Sequence, residues 1–377
     1  MSGVRLLSAG HRVLLPLVKR AKARVMVGRE DGKITGMTMR LADIAAQAGV
    51  SEATVSRVLN GRPGVAADTR QAVLTALDVL GYERPLKLRQ NQTGLIGLIL
   101  PELNNPIFPA FAQVIESALV LSGYTAVLCT QTPGGVTEDD YTTLLLERGV
   151  AGIIFVNGLH ADSRSDRTRY VRLAELGLPM VLINGFRPDI PAHFISNDDV
   201  AALDMGVNHL VSLGHRRIGL AVGQERFVPT IRKTQGFERG MAAYAGVTDV
   251  SELVVNTLYT VEGGQSAAQQ LLERGCTAIC CGSDIMAIGA IRGARNLGLR
   301  VPEDVSVVGF DDTPMTAYLD PPLTTIRQPV RDMALAAVAS LLDEIQGLPA
   351  PRAELLHRPE LVVRRSTAPV RAAVPTS

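Results

Sequence analysis

The apolar positions of this chain follow two rhythms. Between Leu41 and Leu80 they recur at intervals of three and four residues in short blocks, which predicts three short helices. Leu41, Ile44, Ala45 and Ala48 share one face of the first, and Gly49 supplies the left-handed backbone that stops it. Ser51 is placed to cap a second helix through its hydroxyl, with Val55, Val58 and Leu59 facing inward. A third is expected from Asp68, again as a cap, through Val73, Ala76, Leu77 and Leu80 to Gly81. The three apolar faces can close on one small core.

From Gly94 the rhythm changes, and short apolar runs alternate with longer amphipathic stretches. Strands are expected at 96–100, 125–129, 153–156, 180–183, 218–222, 278–281 and 305–308. Helices are expected between them at 107–122, 200–213, 263–273, 284–297 and 330–345. Such alternation builds parallel sheets with helical crossovers, and the stretch from 94 to about 369 is long enough for two of them. The expected class is α/β: a three-helix head followed by a larger core with parallel sheets.

Composition refines this picture. A chain of 377 residues exceeds one compact core, and 46% hydrophobic with 20% charged residues excludes global disorder. No run of eighteen apolar residues offers a membrane span, and the apolar stretch 13–18 is too short for a signal-peptide core. The expected location is therefore the cytoplasm, among the DNA of the nucleoid. Cys129, Cys276, Cys280 and Cys281 lie in apolar runs without histidines at zinc-ligand spacing, so buried reduced thiols are expected, with no metal and no cofactor.

The net charge of +1 hides an asymmetry. Residues 1–36 carry +6 and residues 37–93 carry +2, leaving −7 for the remainder. A basic front on an acidic body suits a polyanion-binding head on a soluble core. Residues 1–36 show no sustained period. They read either as a basic arm adding phosphate contacts or, the reading favoured here, as a flexible leader or upstream start ahead of Met37 or Met39. The expected organisation is a leader at 1–36, a helix-turn-helix head at 37–82, a linker at 83–93, the core at 94–369 and a tail at 370–377.

The second helix carries the chemistry of a DNA reader. Ala53, Ser56, Arg57 and Asn60 lie opposite its apolar face. An arginine there can donate two hydrogen bonds to guanine O6 and N7, about 1–3 kcal/mol of discrimination. Ala53 can touch a thymine methyl. Glu52 can accept from cytosine N4 or support the helix start, and Ser51, Thr54 and Ser56 suit phosphate oxygens. Periodicity alone does not separate this from any small helical bundle.

The residue string does. Arg40-Leu-Ala-Asp-Ile-Ala-Ala-Gln-Ala-Gly-Val-Ser-Glu-Ala-Thr-Val-Ser-Arg-Val-Leu-Asn-Gly61 closely resembles the head of the lactose-repressor (LacI/GalR) family. The likeness continues through Asn105-Pro106, Leu213-Gly-His-Arg-Arg-Ile218, Ser283-Asp284, Val307-Val-Gly-Phe-Asp-Asp312 and Pro321-Pro-Leu-Thr-Thr-Ile-Arg-Gln328. It implies a homodimeric repressor that reads a partly palindromic double-stranded operator. It also implies a periplasmic-binding-protein-like core that holds a small effector, a sugar or sugar derivative, between two lobes. Many members carry a proline after the head's tyrosine and then a hinge helix whose leucine wedges into the minor groove. Here Tyr82 is followed by Glu83-Arg-Pro-Leu-Lys-Leu-Arg89, so either Leu86 or Leu88 is the wedge or the segment is a plain basic linker.

Ligands of open parallel sheets bind beyond the carboxyl ends of the strands. Asn105, Asn184, Asn197, Asp198, Ser283, Asp284 and Asp311 fall at such places. By resemblance Asn184, Ser283 and Asp311 match ligand-contacting positions, Phe108 and Phe310 are placed to stack on a ring, and Lys233 stands where relatives carry arginine. Lys233 suits a sugar hydroxyl or a phosphate. Each acid taken singly can equally cap a helix or close a turn, and Asp284, which opens a helix, fits a cap. His209 and His215 read as structural. Nucleophile elbows, zinc-protease helices and phosphate-binding loops are absent, so an enzyme is not expected. A transport protein on the same core would need an export signal and no DNA head. A regulator that binds a partner protein in place of a small effector remains the other reading. Residues 352–377 hold no leucine heptad, so a dimer rather than a tetramer is expected.

Overall fold

The computed structural model describes residues 41–59, 64–80, 94–131, 134–348 and 352–370. The chain divides into two units, Met1–Arg84 and Pro85–Ser377. In the first, helices α1 (Leu41–Ala48), α2 (Glu52–Leu59) and α3 (Ala67–Val79) pack around Ile44, Val55, Val58, Val73 and Leu77, all fully buried. Gly49 takes φ +66° and its N–H bonds to the Ala46 carbonyl, ending α1 where its lack of a Cβ allows. Asp68 is not the cap expected of it. The helix begins one residue earlier, which leaves Asp68 in the first turn, where its charge favours the positive end of the helix dipole.

The second unit opens with β1 (Gly94–Leu100), α4 (Ile107–Leu121), β2 (Tyr124–Thr130), α5 (Glu138–Glu147), β3 (Gly152–Val156), α6 (Thr168–Glu175), β4 (Met180–Ile183) and β5 (His193–Asn197). The chain then crosses to α7 (Asp199–Ser212), β6 (Ile218–Val222), α8 (Val228–Gly240), β7 (Val254–Asn256), α9 (Val261–Glu273), β8 (Ala278–Cys281), α10 (Asp284–Asn296), β9 (Ser306–Asp311) and β10 (Thr324–Arg327). It returns with α11 (Val330–Ile345) and β11 (Glu354–His357), and crosses a last time to β12 (Glu360–Val362). Two six-stranded sheets result, ordered β11-β5-β4-β3-β1-β2 and β12-β10-β9-β8-β6-β7. All pairings are parallel except β10 with β12. Three crossings join the lobes, at 197–199, 327–330 and 357–360.

Helices cover both faces of each sheet, which is why the strands read as unbroken apolar runs. In the first lobe Leu98, Ile154, Val181 and Ile195 face α4 and α11, while Ile153, Phe155, Leu182 and Phe194 face the opposite side. All four cysteines are buried, and burial pushes the Cys276 thiol up to about 11 and the Cys280 thiol up to about 12, so both stay protonated. Among the described residues no helix is long and apolar enough to cross a membrane.

Helices α9 and α10 touch backbone to backbone. A Cβ added at Gly264 would stand 2.1 Å from the Met286 carbonyl oxygen, and one at Gly289 would stand 2.0 Å from that of Val261. Backbone cannot swing aside as a side chain can. Gly289→Val is therefore expected to cost about 1–3 kcal/mol through overpacking, read as a lowered midpoint in urea unfolding. An unchanged midpoint would show that the two helices separate freely.

Candidate functional site

Helix α2 is anchored before it is presented. Ser51 Oγ accepts the Thr54 N–H at 3.2 Å and lies 2.9 Å from the Thr54 hydroxyl, so the cap and the start of the helix are one hydrogen-bonded unit. Val55, Val58 and Leu59 are buried, while Glu52, Ala53 and Arg57 are exposed and Thr54 and Ser56 are half-exposed. The polar residues expected to face DNA thus do lie away from the core. The Thr54 hydroxyl is already shared with Ser51. Asn60, Leu86 and Leu88 lie outside the described residues.

Between the lobes of the larger unit lies a cavity of about 210 Å³, lined by apolar and aromatic side chains with a few convergent polar groups. It opens at the carboxyl ends of the strands. Asn157 after β3 (φ 45°), Asn184 after β4 (φ 63°), and Asp311 (φ 118°) and Asp312 (φ 56°) at the end of β9 are, among the described residues, the positions other than glycine with left-handed backbone. Asn157, Asn184 and Asp311 line the cavity. Strained backbone held in this way gathers at binding sites, where geometry has been bought against stability.

Of the ligand residues expected from sequence, Asn105, Phe108, Asn184, Lys233, Ser283 and Asp311 line this cavity together. Two do not. Asn197, at the end of β5, is buried one strand further out and donates to Asp199 Oδ1 at 2.9 Å. Phe310 is fully buried, with the Lys233 ammonium 3.9 Å from its ring centre, so its face is taken by a cation and not by a sugar ring. Glu102, Phe111, Asn157, Phe227, Tyr259 and Gln328 also line the cavity and were not singled out beforehand. Gln328 alone had a signal, the Thr-Thr-Ile-Arg-Gln string.

Several groups have one side committed within the protein. Asn105 Oδ1 accepts the Ile107 N–H at 3.3 Å, closing the turn that leads into α4, and Ser283 Oγ accepts the Met286 N–H at 3.3 Å, capping α10. Ser283, and not Asp284, is thus the cap. Asp284 instead accepts from the Thr313 N–H at 2.7 Å and the Thr325 hydroxyl at 2.6 Å, tying β10 and the loop after β9 to α10. Burial pushes its carboxyl up to about 6 against those hydrogen bonds. Asn184 Nδ2 donates to Asn157 Oδ1 at 2.8 Å, and its Oδ1 accepts the Asn197 N–H at 3.1 Å. Gln328 Nε2 donates to Asp311 Oδ1 at 2.6 Å, while its own buried Oε1 has no hydrogen-bond partner.

Lys233 is buried, and burial works against its charge. Tyr259, Asp199 and Asp311 outweigh that penalty and hold the ammonium above its ordinary range. Burial, reinforced by Asp284, pushes the Asp311 carboxyl well up while Lys233 opposes the rise. Burial also raises Asp199 and Glu102.

The lobes also touch each other directly. Arg226 Nε lies 3.2 Å from Asp162 Oδ2, and the Ser163 N–H donates to the Arg226 carbonyl at 2.8 Å beside an isolated bridge between Asp162 and Phe227. Elsewhere Arg232 of α8 grips Glu354 of β11 with both terminal nitrogens, at 2.5 and 2.9 Å.

Comparison with known proteins places this geometry. Residues 40–84 match the bacterial regulatory proteins, lacI family, and residues 207–367 match a periplasmic binding protein-like domain. The HTH-type transcriptional regulator MalR of Streptomyces coelicolor is 64% identical over 335 residues, covering 88% of this chain and 97% of the relative. A solved complex of the transcriptional regulator CelR with cellobiose superposes with a TM-score of 0.66 at 30% identity, over 87% of this chain and 99% of its own. The lac repressor dimer bound to operator and the anti-inducer ONPF superposes with a TM-score of 0.63 at 29% identity, over 88% and 99%. The α2 string, the two-lobed α/β core and these matches lead to one conclusion: the chain is a transcriptional regulator and belongs to the LacI family.

Proposed function

We propose that this regulator is a homodimeric repressor whose grip on a partly palindromic operator is set by an uncharged polyhydroxylated ligand in the interlobe cavity. The observation that carries the ligand class is the state of the cavity's donors. Phosphate sites in proteins draw on arginine forks, on lysines whose charge is not already matched, and on free N–H groups at helix starts. Here the first N–H of α4 bonds to Asn105, the start of α10 is capped by Ser283, α8 has Pro229 near its start, and among the described residues no arginine lines the cavity. Lys233 is the lining cation, and it is matched by Asp311 and by Asp199. A phosphate would bring its charge against Asp311 and Glu102. A hydroxyl can accept from Lys233 and donate to an acid at once, and Phe108, Phe111, Phe227 and Tyr259 offer apolar faces to a sugar ring. CelR, which resembles this chain, binds cellobiose.

A second copy of the chain is favoured by apolar surface on both lobes. Tyr318 is 89% exposed with Met315 nearby, and Leu128 is exposed on the edge strand β2. Two copies would also present two copies of α2, whose eight residues read only a short half-site.

Thermal unfolding is expected to rise with an uncharged sugar from a panel of cellobiose, ribose, ribose 5-phosphate and adenosine, by about 2.7 kcal/mol at a hundred times Kd. Stabilisation by the phosphate ester alone would overturn the ligand class, and none by any compound would favour a partner protein. Selection from random DNA is expected to return two inverted half-sites, with Arg57→Ala losing preference at one position by about 1–3 kcal/mol while keeping weak, salt-sensitive binding. Unchanged preference would remove Arg57 from the reading, and a single half-site would remove the dimer.

A further inference from the structure

Beneath the first-lobe wall of the cavity runs a buried polar chain that ligand contact does not explain. His160, in the short turn Leu159–Ala161 after β3, is fully buried. Its Nε2 lies 2.9 Å from the Asn184 carbonyl oxygen and 3.3 Å from that of Ile183, so Nε2 carries the hydrogen and donates it. Nδ1 has no hydrogen-bond partner. On the other side the His160 N–H donates to the Tyr170 hydroxyl at 2.7 Å, and that hydroxyl donates to Glu138. Glu138, itself fully buried, also accepts the Leu159 N–H at 2.9 Å and Gln131 Nε2 at 3.1 Å. The turn is thus held from behind by Glu138 and Tyr170 and presses its imidazole onto the backbone of Asn184.

Asn184 needs holding. It sits at φ 63°, bonded to an equally left-handed Asn157, and the two form part of the cavity wall. Gly185 follows at φ 66° in direct contact with the turn, since a Cβ there would meet Ala161 at 2.5 Å. The His160 ring packs edge to face against Tyr170 and Phe194, with centres 5.7 and 6.0 Å apart. A phenylalanine would fill that space equally well. Burying a polar ring in it makes physical sense only if the hydrogen bond matters.

We propose that His160 is a positioning residue for the effector cavity: its Nε2–H fixes the Asn184 carbonyl, and through it the Asn184–Asn157 pair, in the orientation that meets the ligand. The burial that holds the imidazole down at about 4 keeps it neutral throughout the physiological range. The proposal rests on the reading of this cavity as the effector site, and its test separates the two.

Hydrogen exchange of the full-length protein, followed by mass spectrometry, reads the peptide 180–187. His160→Phe keeps the ring packing and loses the donor, and is expected to lower protection in that peptide about tenfold while peptides of β6 to β9 keep theirs. His160→Gln returns a donor at the same reach and is expected to restore protection. Tyr170→Phe, which releases the turn from behind, is expected to act in the same direction and serves if His160→Phe does not fold. Unchanged exchange in a folded His160→Phe or Tyr170→Phe protein, or no recovery with Gln, would overturn the proposal. Titration with cellobiose forms the second arm, with affinity falling about tenfold in His160→Phe and returning in His160→Gln. If the unaltered protein ignores cellobiose, that counts against the ligand reading, and the exchange result still decides the role of His160.

Discussion

A buried ammonium without a carboxylate in contact organises the interlobe cavity. Among the described residues Lys233 Nζ has no ion pair or hydrogen bond, and its nearest charged or aromatic neighbour is the ring of Phe310, 3.9 Å away. Taking such a charge from water costs several kcal/mol, so the fold must compensate at longer range. It does so with Asp199 at the start of α7, Asp311 at the end of β9 and the Tyr259 side chain, three separate segments aimed at one point. Phe310, which sequence reasoning assigned to the ligand, serves this charge instead. The ammonium's hydrogens remain available to a ligand, while its field is already matched. That combination separates a site for hydroxyls from a site for phosphate.

The same division of labour recurs along the cavity. Asn105 and Gln328 each spend one side-chain polar atom on the scaffold, Ser283 accepts the Met286 N–H with its single hydroxyl, and Asn184 commits both its amide nitrogen and its oxygen, to Asn157 and to the Asn197 N–H. At Asn105 and Gln328 the other atom remains for a ligand, fixed in direction by the first. The left-handed backbone at Asn157, Asn184 and Asp311 aims these groups into the cavity, and the cost is carried by sheets whose strands are buried on both faces. Arg226 with Asp162 and Arg232 with Glu354 tie the two lobes directly to each other.

Seven strands were legible as apolar runs, six of them through burial on both faces and the edge strand β2 despite its half-exposure, and β4, β6 and β8 fall where the runs do. Strands β5 and β10 were not, because buried polar residues, His193, Ser196 and Asn197 in one and two threonines in the other, break the apolar run. Helix α8 hid for a related reason, since Lys233 and Thr230 are among its buried residues. Strands β11 and β12 are edge strands supplied by the last crossing, which no local pattern announces. At the cavity, strand ends pointed to Asn105, Asn184, Ser283 and Asp311, and motif likeness added Lys233. Sequence position cannot tell a cap from a contact, which is why Ser283 rather than Asp284 proved to cap α10. Nor can it show that Asn157, Tyr259 and Glu102 converge on one cavity.

The central claim is that Lys233 and Asp311 are matched through space. A double-mutant cycle of Lys233→Met and Asp311→Asn, read by urea unfolding at neutral pH, measures that directly. A coupling of about 1–3 kcal/mol is expected, because each group favours the charged form of the other and either substitution removes that support. Effects that add within about 0.5 kcal/mol would contradict it and would return the cation to the service of an anionic ligand.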